Sequence, residues 1–164
     1  MATITERPER PYVAIRARVT MDTIPSIADR VPEVIGWLAG RGVAPEGAPF
    51  LRYRVIDMER FLDIEAGVPV ARVLDPDPEA EIVSGTLPAG RYATVTHTGP
   101  FDELVGATKT LLGWADAKGL RWDVRDGPEG QVWGCRLEEY ETNPAAEPDP
   151  AKWVTRLAFR LAAA

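Results

Sequence analysis

The chain has 164 residues, of which 45% are hydrophobic and 27% are charged, and its formal net charge is -6. This length suits one domain with a substantial core, and the acidic balance argues against nucleic-acid or anionic-membrane surfaces, which favour clustered Lys and Arg. One cysteine, Cys135, and one histidine, His97, leave no intramolecular disulfide and no common zinc site, so we expect no metal and no other cofactor.

The residues before Tyr12 predict neither a helix nor a strand and are interpreted as a short tail. They lack the apolar core of a secretion signal, and no run of the sequence approaches the length of a membrane span. We therefore expect a cytoplasmic protein that does not bind membranes.

A strand and a helix are predicted next. Residues 12–19 alternate apolar and polar side chains, which is typical of a half-buried strand. The apolar stripe that follows predicts a helix that ends at Gly40 and Gly42. Asp22 and Ser26 are candidate caps, and Pro32 offers a later start because a proline is tolerated in the first helical turn.

Two β-like runs, at residues 50–56 and 61–68, complete the first half of the chain. Residues 75–78 read Asp-Pro-Asp-Pro, which predicts an extended linker because a residue before proline avoids helical geometry. A short strand and a turn are expected at residues 81–90.

The same pattern then begins again. Residues 92–97 predict a strand, and Gly99-Pro100 leads into a helix that starts near Phe101 and ends at Gly119. Three strands follow the helix, at residues 122–124, 132–140 and 153–161.

The two halves of the chain are similar in sequence. IGWLAGRGV (35–43) aligns with LGWADAKGL (112–120), and a tyrosine opens the first strand of each half. We therefore interpret residues 1–164 as a single domain with pseudo-repeats at approximately 10–75 and 80–163. The predicted fold class is α+β: two tandem strand–helix–strand–strand modules form a curved antiparallel sheet, with helices on one face and a ligand cleft on the other.

Several segments resemble the GyrI-like family, which is also described as the effector-binding domain of bacterial transcription activators. The segments that carry the resemblance are APFLRY (48–53), DIEAGVPV (63–70), YATVTHTGPFDEL (92–104), EEYETNP (138–144) and PAKWVT (150–155). The resemblance implies a pseudo-twofold fold with a central pocket for flat, apolar and often cationic compounds. Many relatives carry a DNA-binding helix-turn-helix segment as well; if this chain is complete, it is a stand-alone binder without direct nucleic-acid binding.

Glu138 is the first candidate for the pocket. On the predicted strand 132–140, Trp133, Cys135 and Leu137 are expected to pack against the helices, and Arg136, Glu138 and Tyr140 to face the cleft. A carboxylate among aromatic walls attracts a delocalised cation, and the family's Glu-x-Tyr pattern matches Glu138 and Tyr140. The alternative is a solvated glutamate on an edge strand, and a register slip by one residue would place Glu139 in the pocket.

Aromatic residues are the other candidates. Trp37 and Trp114 occupy matched positions beside the apolar stripes of the two helices and are predicted to flank the pocket, unless each completes the core. Tyr53 and Phe50, in a segment that matches the family, are candidate pocket walls. His97 is expected to orient the strand-to-helix turn.

Three functions are compatible with these residues. The first is binding of small hydrophobic, aromatic and cationic molecules, as in multidrug recognition or transcription regulation. The second is hydrolysis of strained electrophilic toxins such as cyclopropanoids, with Glu138 activating a water and Tyr140 or Tyr53 donating a hydrogen bond. The third, implied by relatives described as gyrase inhibitors, is a complex with a gyrase-like protein partner.

Overall fold

A computed structural model describes residues 1–163, and ten strands and three α-helices lie within that range. The strands are β1 (Thr3–Arg7), β2 (Arg10–Val19), β3 (Phe50–Asp57), β4 (Phe61–Pro69), β5 (Val83–Leu87), β6 (Gly90–Thr98), β7 (Val124–Gly127), β8 (Gly130–Trp133), β9 (Arg136–Tyr140) and β10 (Val154–Arg160). The α-helices are α1 (Ile24–Ala28), α2 (Val31–Gly40) and α3 (Leu104–Ala117). Short 3₁₀ turns lie at Pro78–Ala80, Phe101–Glu103 and Pro150–Lys152.

The strand order is symmetric about the centre of one antiparallel sheet. The order is β1-β6-β10-β9-β3-β4-β2-β5, and the β7–β8 hairpin pairs with β3 through β8. Strands β2, β3 and β4 of the first module therefore mirror β6, β9 and β10 of the second. The two modules meet between β3 and β9, which we call the seam, and there Leu51 lies opposite Glu138. The α+β class, the tandem modules and the curved antiparallel sheet are confirmed.

Two short links between strands show how strongly the sheet curls. β1 lies at one end of the strand order and β2 near the other, yet only residues 8–9 connect them. Likewise, residues 88–89 connect β5 at one end to β6 near the other. Since two residues span about 10 Å at most, the two ends of the sheet must approach each other.

Because of this curl, apolar side chains are buried on both faces of the sheet. The outer face carries the helices, and Val13, Leu51 and Val34 belong to its core. The inner face has a smaller core that includes Tyr12 and Phe50. In sequence, these two residues directly precede Val13 and Leu51 of the outer core. Consecutive strand residues are therefore buried, although the first strand had been predicted to be half-buried.

A polar network lies within the inner face. The Tyr12 hydroxyl donates a 2.5 Å hydrogen bond to Oε1 of Glu65 and accepts a 3.0 Å hydrogen bond from the guanidinium of Arg52. Burial, assisted by the Glu65 carboxylate, raises the pKa of Tyr12 to about 12. These side chains are buried, so the network stabilises the inside of the curl and is not an open site.

The interpretation of the N-terminal residues as a tail was wrong. Residues 3–7 form β1, which pairs antiparallel with β6. The hydroxyl of Thr94 lies 3.2 Å from that of Thr3 and 3.1 Å from that of Thr5. Ile4 is the one large apolar residue of β1 and is exposed, so the segment lacks the alternation that identifies a half-buried strand.

Two further elements differ from the prediction. The first-half helix is divided at Asp29 and Arg30 into α1 and α2, and Pro32 lies in the first turn of α2. The predicted strand 132–140 is interrupted between β8 and β9, where a Cβ on Gly134 would overlap the Asp123 carboxylate. This interruption changes which side chains share a face.

The orientations predicted for Cys135 and Leu137 were consequently wrong. Trp133 packs in the outer core with the helices, whereas Cys135 and Leu137 belong to the inner core. Burial raises the pKa of the Cys135 thiol, which is consistent with an unreactive core residue.

Candidate ligand-binding cleft

A large cleft of about 1510 Å³ opens on the outer face of the sheet. Its walls are α1 and α2 on one side and α3 on the other, and its floor is formed by β3 and β9 at the seam. The cleft had been expected on the face opposite the helices, and this placement was wrong. The inner face is closed by the curl of the sheet, so the open surface is the gap between the helices.

Exposed apolar side chains surround the cleft. Eight large hydrophobic side chains are exposed within residues 1–163, and five of them line it. These five are Met21, Ile35, Met58, Phe101 and Val105. Apolar side chains gathered in one place on a surface are typical of a binding site, and flexible methionines adapt to ligands of different shapes.

The Glu138 carboxylate lies on the floor of the cleft. Its Oε1 accepts a 3.0 Å hydrogen bond from the Tyr53 hydroxyl and a 2.8 Å hydrogen bond from the Tyr140 hydroxyl. Burial raises the pKa of Glu138 above its usual value, and the two tyrosine hydrogen bonds oppose this rise. The pKa values of both tyrosines are raised well above normal, chiefly by burial, so their hydroxyls remain donors at neutral pH.

The second oxygen of Glu138 is left for another partner. Within residues 1–163, no group donates a hydrogen bond to Oε2, and this atom is not fully buried. Oε2 therefore retains contact with solvent from the cleft. The carboxylate is fixed through one oxygen and free to accept from a ligand through the other.

The strand register places Glu138, and not Glu139, on the cleft. Glu139 points to the opposite side of β9, where its two oxygens accept hydrogen bonds from Arg7 and Arg10 at 2.9 to 3.1 Å. The sequence left this choice open because acidic residues occupy positions 138, 139 and 141. The pairing of Leu51 with Glu138 fixes it, since Leu51 also lies on the cleft side.

Tyr140 and Arg136 also line the cleft, as the alternation along β9 predicted. Phe101 packs edge-to-face against Tyr140, with ring centroids 5.4 Å apart, and against Trp153 in a tilted arrangement with centroids 4.6 Å apart. Phe101 was not singled out from the sequence as a site residue. Its position directly after the Gly99-Pro100 turn, in the 3₁₀ turn that leads into α3, is the signal that could have identified it.

Three predicted pocket residues lie elsewhere. Phe50 is fully buried on the inner face, with its ring centroid 5.4 Å from that of Tyr12, because it alternates with the cleft residue Leu51. Trp37 packs against the core and donates a 2.9 Å hydrogen bond from Nε1 to Asp77. The predicted position of Phe50 beside the cleft was therefore wrong, and Trp37 follows the alternative prediction that it completes the core.

Trp114 follows the same pattern as Trp37. It packs against the outer core on α3, and the Lys118 ammonium lies 5.3 Å from its ring centroid. The Arg41 guanidinium lies similarly over the Trp37 ring, at 4.0 Å. The two tryptophans are matched between the modules, but each covers the core at the back of its helix and neither lines the cleft.

His97 does not line the cleft and lies at the strand-to-helix turn, where Nε2 is 3.0 Å from Oε1 of Glu103. Its position agrees with the expected role in orienting that turn.

Within residues 1–163, no helix has the length and apolarity needed to cross a membrane.

The fold and the cleft define a small-molecule-binding domain made of two matched modules. The chain belongs to the GyrI-like family, since the model of the GyrI-like small molecule binding domain matches residues 2–162. No curated protein matches the chain at a significant level.

Solved structures share this fold. The C-terminal domain of EcmrR superposes with a TM-score of 0.75 at 22% identity, over 100% of this chain and 98% of that one. EcmrR in a complex with DNA gives a TM-score of 0.78 at 21% identity over 100% of this chain, which spans 58% of the EcmrR chain. SAV2435 bound to tetraphenylphosphonium gives 0.67 at 8% identity, over 99% of this chain and 94% of that one.

Proposed function

We propose that the cleft binds flat, hydrophobic, aromatic molecules that carry a positive charge. The observation that carries the proposal is the Glu138 carboxylate, which has one unpartnered oxygen on the floor of an apolar cleft. The solved complex of SAV2435 with tetraphenylphosphonium, a hydrophobic aromatic cation, supports a ligand with aromatic rings and a positive charge.

The charge preference follows from the cost of burying an unpaired ion. An ionised carboxylate away from water is costly, and this cost is reflected in the raised pKa of Glu138. A ligand cation that contacts Oε2 offsets this cost, while a delocalised cation loses less hydration than a compact ammonium when it enters the cleft. The ligand's rings then cover the apolar side chains at the mouth, such as Met58 and Val105, which are 62% and 56% exposed.

The biological setting that we propose is sensing or sequestration of such compounds in the cytoplasm. The structure of EcmrR with DNA covers a longer chain than this one. For the present chain, the proposal is limited to recognition of the ligand.

A dye titration tests the proposal. Rhodamine 6G, a flat cationic dye, is titrated into the wild-type protein, with thermal shift and tryptophan quenching as readouts. We expect saturable binding that is weakened about tenfold or more in Glu138→Gln, because a charged hydrogen bond contributes about 1.5–3 kcal/mol. Glu79→Gln is the matched control, since Glu79 is exposed on the Pro78–Ala80 turn and does not line the cleft. Absence of saturable binding to the wild type would contradict the proposal.

Hydrolysis is a second candidate, favoured by the way the tyrosines hold Glu138. With Oε1 fixed by Tyr53 and Tyr140, Oε2 is available to take a proton from a water as that water attacks an electrophilic carbon. Burial raises the pKa of Glu138 toward neutral pH, and a general base works best when its pKa is near the working pH. If a strained ring opens in this step, the departing electron pair takes up the proton that Glu138 has accepted from the water, while the two tyrosine hydroxyls keep their hydrogen bonds to Oε1.

Turnover separates the two candidates. A cyclopropane-bearing electrophile is incubated with wild type and Glu138→Gln, and the ring-opened product is measured by chromatography. Loss of product in the variant with binding retained supports hydrolysis, whereas binding to the wild type without product supports recognition alone.

A further inference from the structure

Arg136 is a cation on the cleft floor that attracts the Glu138 carboxylate through space but, within residues 1–163, contacts no carboxylate directly. It lies two residues before Glu138 on β9, so the two Cα atoms are about 7 Å apart and their side chains share one face. Within residues 1–163, its guanidinium makes neither a hydrogen bond nor an ion pair of 4.0 Å or less. Most arginines on this protein are paired, including Arg7, Arg10 and Arg16.

Three aromatic rings hold the Arg136 guanidinium in place. Its Cζ lies 4.5 Å from the ring centroid of Phe159, 4.8 Å from that of Trp133 and 5.9 Å from that of Tyr53. These contacts favour the charged group without using its N–H donors. None of its nitrogens is fully buried, and Arg136 lines the cleft, so its N–H donors remain open to a ligand there.

The floor of the cleft therefore presents two opposite charges side by side, each with unused hydrogen-bonding capacity. A ligand that carries only a positive charge would satisfy Glu138 and be repelled by Arg136. A ligand with an added carboxylate would satisfy both groups, and the planar guanidinium is suited to hold that carboxylate through two parallel hydrogen bonds.

We propose that the cleft selects zwitterionic aromatic ligands, with the cationic group at Glu138 and an anionic group at Arg136. This inference rests on the proposed function, because it specifies the ligand of the same cleft. It adds a second charged contact to that ligand.

A pair of dyes that differ only in the anionic group tests the inference. Rhodamine B carries a free carboxylate, and rhodamine B ethyl ester has the same cationic ring system with that carboxylate blocked. We expect wild-type protein to bind rhodamine B about tenfold more tightly than the ester. The visible absorption of bound rhodamine B must persist, since its loss marks the uncharged lactone and would overturn the inference.

Variants of Arg136 assign the preference to this residue. In Arg136→Gln we expect the preference for the free acid to disappear. The ratio of the two affinities is the readout, because loss of the Arg136 charge also raises the pKa of Glu138 and weakens both dyes alike. Arg136→Lys keeps the charge and should restore part of the preference, which protects the test against a fold defect in the glutamine variant. Arg72→Gln is the matched control, since Arg72 is exposed and does not line the cleft.

The outcomes distinguish the two proposals. Equal affinity of wild type for the two dyes, or a preference that survives in Arg136→Gln, overturns the inference and leaves the proposed function standing. Absence of saturable binding of either dye to the wild type overturns the proposed function and this inference with it.

Discussion

Tyr53 and Glu138 belong to different modules of the chain, and a 3.0 Å hydrogen bond joins them across the seam. Glu138 lies on β9 of the second module, and Tyr53 lies on β3 of the first. The position of the carboxylate therefore depends on the correct pairing of the two halves of the sheet.

Removing one tyrosine hydroxyl should change the pH dependence of dye binding. In Tyr53→Phe or Tyr140→Phe, Oε1 of Glu138 loses one of the hydrogen bonds that oppose the effect of burial, so the pKa of Glu138 should rise further. Cationic dyes require the ionised carboxylate. We expect the affinity at neutral pH to fall about fivefold and the pH midpoint of binding to move upward, measured by titrations between about pH 5 and about pH 9. Tyr92→Phe is the control, because Tyr92 is on the inner face; a midpoint unchanged in all three variants would contradict the prediction.

The stability of the protein without ligand should also depend on the ionisation of Glu138. Its pKa is raised in the folded state, so its contribution to stability is full below the usual value of 4.5 and is lost as pH rises through the raised pKa. Glu138→Gln does not ionise at this position. The free energy of unfolding of the variant relative to wild type should therefore increase with pH, by about 1.4 kcal/mol for each pH unit between the two pKa values. Urea denaturation at about pH 4 and about pH 8 measures this difference, and a pH-independent difference would contradict it.

Replacing Trp37 should affect stability and leave binding unchanged. Trp37→Phe removes the hydrogen bond from Nε1 to Asp77 and part of the surface under Arg41, both behind the helix. We expect the melting temperature to fall by a few degrees while the affinity for rhodamine 6G stays the same. Trp114→Phe, the matched variant in the other module, should likewise retain full affinity. A clear loss of affinity in either variant would contradict this prediction and show that the replaced tryptophan contributes to binding.

Gly67 should tolerate no side chain, in contrast to a glycine on α3. A Cβ at Gly67 would lie 2.6 Å from Cζ of Phe50, which is fully buried, so Gly67→Ala should cost about 1–3 kcal/mol in the free energy of unfolding. Gly113 has nothing within 4 Å of the added carbon, and Gly113→Ala should stabilise by about 0.5–1 kcal/mol through helix propensity. Chemical denaturation of the two variants measures both effects.

A double variant checks the cause of the Gly67 effect. If the clash is with the Phe50 ring, Gly67→Ala combined with Phe50→Leu should lose less stability than the sum of the single losses. Strict additivity would show that the clash with the ring is not the source of the cost.

The strands that carry the cleft were predictable, because their residue types and alternation are strong. Residues 50–56 and 61–68 fall within β3 and β4, and the Glu-x-Tyr pattern led to Glu138 and Tyr140. The sequence alone did not decide between Glu138 and Glu139. That choice depends on how β9 pairs with β3, and the two strands are far apart in sequence: Tyr53 and Glu138 are separated by 85 residues.

The face of the sheet on which the cleft opens could not be predicted from the sequence either. Burial of both Tyr12 and Val13 removes the distinction between a core face and a solvent face, on which the alternation argument depends. Phe50 was misplaced for the same reason, since an aromatic residue suits either the inside of the curl or a pocket wall. Which of the two it occupies is decided by the links at residues 8–9 and 88–89, where the chain crosses between the ends of the sheet.

Those two links also make each module depend on the other. β1 leads into the first module but pairs with the second, and β5 leads into the second module but pairs with the first. Each module thus covers the outer edge of the other with its own leading arm, and a solitary module would expose that edge to uncontrolled association. Neither module can therefore cover its own sheet edge alone. The carboxylate site exists only where both modules are present, since Glu138 lies on one side of the seam and Tyr53 on the other.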